Sequence, residues 1–185
     1  MAKKSSTPPE GFLYQPDVLP PDEEPVLVAW IQTLPLREFE FHGYVGKRRT
    51  MSFGWQYDFS DSRLKESEAM PPILWPVRER AAAFSGMESE ELPHALVTEY
   101  SPGAAIGWHR DKGVFDEVVG ISLLSPCNFR FRRKAGTTWE RYSLTVEPCS
   151  AYLLRGESRT VWEHSIPGVN SLRYSITFRS LRGKR

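Results

Sequence analysis

From Ala95 to the C-terminus the chain is cut into short segments by turns at SPG, SPC, AGTT, RGES and IPGVN. Between them lie ALVTEYS, VVGISLLS, NFRFRRK, RYSLTVE, SAYLLRG and RYSITFRS, all rich in β-branched and aromatic residues. Short strands at close spacing with turn residues between them are the pattern of an antiparallel sandwich or jelly roll. The first half reads differently. PPDEEPVLVAWIQTLP opens a helix, with Asp22, Glu23 and Glu24 in the first turn, where anions offset the helix dipole. Val26, Leu27, Trp30, Ile31 and Leu34 recur at helical spacing and should lie against a sheet. A second helix is predicted over about Leu74 to Phe84. Between the two, RTMSFGWQYDFS reads as a strand whose Phe53, Trp55, Tyr57 and Phe59 share one face. Residues 1 to 10, rich in Lys, Ser and Pro, read as a disordered tail.

With 185 residues, 40% of them hydrophobic and 25% charged, the chain has the size and composition of one globular domain with one core. The expected fold is α+β and mainly β: a double-stranded β-helix (jelly roll) over 95–185, with N-terminal helices in 11–94 packed on one sheet, the whole forming a single domain over 11–185. No run approaches the roughly 18 apolar residues of a membrane span, and MAKKSSTPPEG lacks the apolar core of a secretory signal. A cytoplasmic, monomeric protein with no membrane partner is expected. The net charge of +1 conceals two basic clusters, Lys47–Arg49 and Arg130, Arg132, Arg133 and Lys134. Cys127 and Cys149 form neither a CxxC pair nor a disulfide framework and are expected to be reduced and structural.

The chemistry concentrates at His109, Asp111 and His164. On a strand, residues two apart project to one face, so His109 and Asp111 can reach one metal while Arg110 points away. Two imidazoles and a carboxylate fill three positions on one side of an octahedral metal and leave the others open, the arrangement of non-heme Fe(II) oxygenases. Downstream, Arg173, Ser175, Thr177 and Arg179 alternate with Tyr174, Ile176 and Phe178, giving a strand with one polar and one apolar face. Six residues at about 3.3 Å each separate the two arginines by roughly 20 Å. Side chains of roughly 7 Å reach leave about 6 Å between their tips, the span of a five-carbon dicarboxylate. Guanidinium binds carboxylate bidentately, so one strand can address both ends of 2-oxoglutarate.

YSPGAAIGWHRDK, GISLLSPCNFRFRR, ESRTVWEHSIP and LRYSITFR resemble the AlkB family of iron(II)- and 2-oxoglutarate-dependent dioxygenases over about residues 40 to 182. The HxD, distal His and RxxxxxR elements stand in family order, with 55 positions between His109 and His164. The resemblance implies that His109, Asp111 and His164 hold iron. It implies that Arg173 faces the distal carboxylate of 2-oxoglutarate, Arg179 its keto-acid end, and that Tyr100 hydrogen-bonds this cosubstrate. Thr98 and Ser175 stand where some relatives have asparagine and would contact it too. The implied activity is oxidative dealkylation of bases such as 1-methyladenine and 3-methylcytosine in single-stranded DNA or RNA, consuming O2 and 2-oxoglutarate and releasing succinate, CO2 and formaldehyde. Such lesions already weaken pairing, which eases extrusion of the base. Trp55 and Tyr57 fall in the family's substrate-covering segment and would sandwich the base, with the basic clusters on its flanking phosphates.

Gly113 departs from the pattern of several DNA-repair relatives, which carry an acid there that contacts the damaged base. The family also includes modifiers of tRNA and of protein, so a modified tRNA base or a protein side chain is the alternative substrate. Several features have plainer readings. His42 and His94 read as ordinary surface or core histidines; Arg130 and Arg132, alternating with Phe129 and Phe131, read first as the solvated face of a strand. Glu157, Ser158 and Arg159 read as a turn, and Trp108 and Trp162 as packing that fixes the adjacent ligands.

Overall fold

The computed structural model describes residues 3–41, 44–58 and 63–183. In chain order the elements are β1 (Lys3–Lys4), β2 (Phe12–Gln15), α1 (Glu23–Thr33), β3 (Arg37–Phe41), β4 (Tyr44–Phe53), β5 (Trp55–Asp58), β6 (Arg63–Glu66), α2 (Trp75–Ser85), β7 (His94–Tyr100), β8 (Ile106–His109), β9 (Phe115–Leu123), β10 (Cys127–Ala135), β11 (Thr138–Val146), β12 (Ala151–Leu154), α3 (Gly156–Thr160), β13 (Glu163–Ile166) and β14 (Arg173–Leu181). A seven-stranded major sheet runs β2-β12-β9-β14-β7-β4-β3 and a five-stranded minor sheet runs β1-β11-β10-β13-β8. The predicted jelly roll with helices on one sheet is the architecture found.

Alternation along each strand of the major sheet sorts its two faces. Val97, Ile121, Leu153, Ile176 and Phe178 point to one side and pack with Leu27, Ile31, Val77 and Ala81 of the two long helices. Tyr100, Val118, Tyr152 and Leu154 point to the other, where they meet Phe129, Phe131 and Ile166 of the minor sheet. Two apolar layers therefore sandwich the major sheet, and the space between the sheets is where functional side chains collect.

Four local expectations change. In α1, Val26 is 60% exposed and Val28 is buried in its place, so the core-facing stripe is rotated relative to the sequence pattern while Leu27, Trp30, Ile31 and Leu34 stay in it. The aromatic row does not share one face: Gly54, at φ +75, turns the chain out of the major sheet, leaving Phe53 in the core while Trp55 and Tyr57 belong to the separate β5–β6 hairpin. A Cβ at Gly54 would lie 2.0 Å from the Pro93 carbonyl, so this exit needs glycine. Phe59 and His42 lie outside the described residues. The segment 3–10 is not a free tail. β1 pairs in parallel with β11, the Ser5 amide donates to the Arg141 carbonyl at 2.7 Å, and Pro9 is buried. Finally, 156–160 forms a one-turn helix rather than a simple turn. No helix among the described residues is long and apolar enough to cross a membrane.

A candidate metal centre between the sheets

His109 ends β8 and His164 lies on β13, directly opposite each other in the antiparallel register, with ring centroids 4.2 Å apart. Asp111 is two residues past His109 but beyond the end of β8, so the strand places the first imidazole and the following loop places the carboxylate. Ligand atoms of the three lie within 4.8 Å of one another. The His109 Nδ1 is 2.9 Å from the Gly107 carbonyl; donation there fixes the tautomer that leaves Nε2 as the lone-pair donor. Burial, reinforced by His109, pulls His164 down to about 3, so it stays neutral and able to ligate. Burial, the largest single influence, would raise the Asp111 carboxyl, but the basic side chains around it together outweigh burial and hold the group well below the usual carboxylate range; Arg179 leads them, donating to Oδ1 at 3.0 Å from both Nε and Nη2. Two imidazoles and one carboxylate are the donor set of non-heme Fe(II) oxygenases.

These groups open into a cavity of about 510 Å³ between the two sheets, enough for a small cosubstrate and a planar base. Thr98, Tyr100 and Arg179 line it. Tyr57 also lines it, with Lys112 over its ring at 5.4 Å. Trp55 and Ser175 are not among the lining residues, and Gln56 is in the position where Trp55 was expected. Arg173 is fully buried one layer behind the wall. Its guanidinium lies 4.8 Å from the Tyr100 ring centroid, Nη2 donates to Ser122 Oγ at 3.1 Å, and Nε and Nη1 have no partner. A buried cation with two unsatisfied donors beside a cavity is a site prepared for an anion, which fits a dicarboxylate cosubstrate.

Three residues stand out only in the fold, two that line this cavity and one that holds the loop beside it. His94, set aside in the sequence, is a core residue of the cavity wall: it is the register partner of Arg179, stacks on Phe115 at 4.8 Å, and has a buried, unpartnered Nδ1. Burial, with Arg179 next to it, lowers its basicity well below the usual imidazole range. Arg48, one of the basic residues of the first cluster, also lines the cavity and hydrogen-bonds Tyr100. Arg159 is buried and donates to the carbonyls of Lys112 and Phe115 at 2.7 and 2.8 Å, pinning the loop that carries Asp111. Nothing in the sequence marks Arg159, because its partners are backbone atoms far along the chain. Trp108 is among the lining residues of the cavity and also lies under Arg130 and Arg132 of the minor sheet.

A family model for the 2OG-Fe(II) oxygenase superfamily matches residues 31–179. An Arabidopsis thaliana protein named alkylated DNA repair protein ALKBH8 homolog is 27% identical over 85% of this chain and 51% of its own length. The mouse tRNA (carboxymethyluridine(34)-5-O)-methyltransferase ALKBH8 is 23% identical over 85% of this chain but 24% of its own length. The chain thus spans about half of the plant relative and about a quarter of the mouse one. Among solved structures, OsALKBH1 superposes with a TM-score of 0.70 at 18% identity, covering 92% of this chain and 96% of that one. A Pseudomonas putida prolyl-4-hydroxylase gives 0.62 at 14% identity over 94% of each chain, a likeness of fold. The family model covers His109, Asp111, His164, Arg173 and Arg179, and the chain belongs to the 2OG-Fe(II) oxygenase superfamily, with Fe(II), 2-oxoglutarate and O2 as its reactive partners; in sequence and fold it is similar to AlkB-type members.

Proposed function

We propose that this chain hydroxylates an alkyl carbon on a base of single-stranded DNA or RNA, so that an N-methyl group of the 1-methyladenine or 3-methylcytosine type leaves as formaldehyde. The observation that carries the reading is the opening of the His109–Asp111–His164 cluster, with Arg179 on its carboxylate, into a cavity whose rim bears Tyr57 and Gln56. The chemistry supplied when iron is bound is the insertion of one oxygen atom of O2 into a C–H bond while the other oxidises 2-oxoglutarate to succinate and CO2. The chain's own residues hold and orient. His109, Asp111 and His164 would hold the metal. Arg179 faces the keto-acid end of 2-oxoglutarate; Arg173, with Tyr100, Thr98 and Ser175, serves the distal carboxylate. Tyr57 stacks on the base, with Trp55 supporting the hairpin that carries it.

A second reading, a modified tRNA base as substrate, is favoured by the charge of the cavity. Its lining contains Arg48, Arg110 and Lys112 beside the paired Asp111 and Arg179, and Gly113 offers no acid. 1-Methyladenine and 3-methylcytosine are cationic, whereas many tRNA base modifications are neutral or acidic. Mass spectrometry of oligonucleotides carrying each class, incubated with protein, Fe(II), 2-oxoglutarate and air, tests both, with His164→Ala as control. Loss of methyl mass by the wild type alone supports dealkylation; a gain of one oxygen on a modified uridine supports the second reading. Consumption of 2-oxoglutarate with every oligonucleotide unchanged refutes a nucleic-acid substrate.

A further inference from the structure

The outer face of the minor sheet carries a charge and aromatic pattern that the metal centre does not use. Residues opposite one another in the antiparallel register share a face, which groups Arg130 with Ser143 and Ser165, Arg132 with Arg141 and Glu163, and Lys134 with Trp139. Phe129 and Phe131 between them point into the core. The face thus holds four cations, Arg130, Arg132, Lys134 and Arg141, against one carboxylate, Glu163, a net of +3. The whole chain is only +1, so the remainder of the molecule is net −2 and this face is its cationic side.

Arg132 pairs with Glu163 at 2.6 Å and is clasped between two indoles, 4.5 Å from the Trp108 ring centroid and 4.4 Å from that of Trp139. Arg130 lies 5.0 Å from the other part of this stack, over Trp108, and donates to Ser165 Oγ. Among the described residues, Arg130, Lys134 and Arg141 make no ion pair, and the latter two are exposed. Trp108 is both the inner end of the ladder and part of the cavity wall, immediately before the ligand His109. The ladder therefore starts at the cavity wall and runs across β8, β13, β10 and β11. Three inter-strand steps span about 14 Å, a length of about four nucleotides at ~3.4 Å each.

We propose that this face is the docking track for the single-stranded nucleic acid on one side of the target base, with Arg130, Lys134 and Arg141 on phosphates and Trp108 and Trp139 offering stacking surfaces. The inference rests on the nucleic-acid reading above and adds to it where the strand lies. Cations free of carboxylates suit phosphates, and indoles already held flat by a guanidinium pay little ordering cost when a base stacks on them.

The test is fluorescence anisotropy with labelled, unmodified single-stranded RNA and DNA, using full-length protein loaded with Mn(II) and 2-oxoglutarate, over a salt series. Each phosphate contact contributes a slope of about −0.7 in log K against log salt for single strands. Arg130→Ser/Lys134→Ser/Arg141→Ser should therefore flatten the slope by about 2 and weaken binding at least tenfold at low salt. Trp139→Ala should weaken binding about tenfold without changing the slope. An Arg130→Lys/Arg141→Lys protein should keep the wild-type slope. All variants should bind 2-oxoglutarate as the wild type does, since none of these residues lines the cavity, and that readout guards against misfolding. A triple variant with wild-type slope and affinity overturns the proposal while leaving the nucleic-acid reading in place. A wild type that consumes 2-oxoglutarate but binds neither oligonucleotide removes the reading itself, and this inference with it.

Discussion

Replacing Arg173 by Met should separate stability from cosubstrate binding, because the buried guanidinium proposed to serve 2-oxoglutarate is a burden to the fold when no anion is bound. The side chain is wholly buried, and only Nη2 has a partner, at Ser122. Nε and Nη1 are unsatisfied, and each buried donor without a partner costs about 1–3 kcal/mol, together about 4. Methionine removes that cost. It also forfeits the Ser122 bond, about 1.5–3 kcal/mol from a charged donor, and the stacking on Tyr100, about 1 kcal/mol. The terms nearly cancel, so the ligand-free variant should match the wild type to within about 1 kcal/mol, whereas ordinary truncation of a large buried side chain costs about 2–5. With Mn(II) and 2-oxoglutarate at about 100 times the wild-type Kd, the wild type gains about 2.7 kcal/mol by mass action. The variant should lose most of that gain, because removing one partner of a buried charge pair costs about 2–5 kcal/mol, a drop in affinity of about 30-fold or more. Denaturant unfolding with and without ligand, with calorimetric titration of 2-oxoglutarate, measures both effects. A ligand-free loss above about 3 kcal/mol, or an undiminished ligand-induced gain, would refute the reasoning that Arg173 is an anion site awaiting its anion.

Other outcomes follow from the cavity wall. His94 and His164 both titrate lower in the fold than the usual 6.5, so the stability they favour is present above pH 6.5 and is lost as pH falls below it, through about 3 for His164; chelator-treated protein should show a falling melting temperature from pH 7 to 5, and a His94→Leu protein a shallower fall. Gly120→Ala should cost about 1–3 kcal/mol and weaken 2-oxoglutarate binding, because a Cβ there would lie 2.2 Å from Cζ of Tyr152, whose ring lines the cavity; thermal melts and titration check it, and unchanged values in both would show that the ring can yield. Gly113→Asp, at a position with nothing within 4 Å of an added Cβ, should improve turnover of 1-methyladenine over an uncharged N6-methyladenine by roughly tenfold, since a carboxylate about 6–8 Å from a cationic base contributes about 1–2 kcal/mol. Competition between the two oligonucleotides reads that ratio, and an unchanged ratio would mean that the base does not approach this loop.

What could be read in the sequence and what could not divides along a physical line. The ligands and Arg179 were legible because a metal and an anion require particular functional groups at spacings that a strand period can place, and the β14 alternation put both arginines on one face from residue names alone. The helices were legible because burial of one stripe leaves a period in the chain, although Val26 and Val28 show that the period does not say where a stripe ends. Positions decided by a partner far along the chain left no such trace. His94 and Arg179 are 85 residues apart in sequence and become register partners only once β7 lies beside β14. Arg159 finds two carbonyls on the loop carrying Asp111, atoms that every residue has. Gly54 was visible as a glycine, but only the Pro93 carbonyl behind it shows that the chain must leave the sheet there and carry Tyr57 to the cavity while Phe53 stays in the core. Substrate choice belongs to this second class. Chemistry that a single side chain performs can be recognised by type, but the selection of a base depends on the summed charge and shape of a wall assembled from β4, β5, β7 and the loop after β8. The fold makes that wall cationic around one paired carboxylate, and for this reason, if the substrate is the modified base proposed above, the charge of that base, more than the position of its methyl group, is the variable on which substrates should first be sorted.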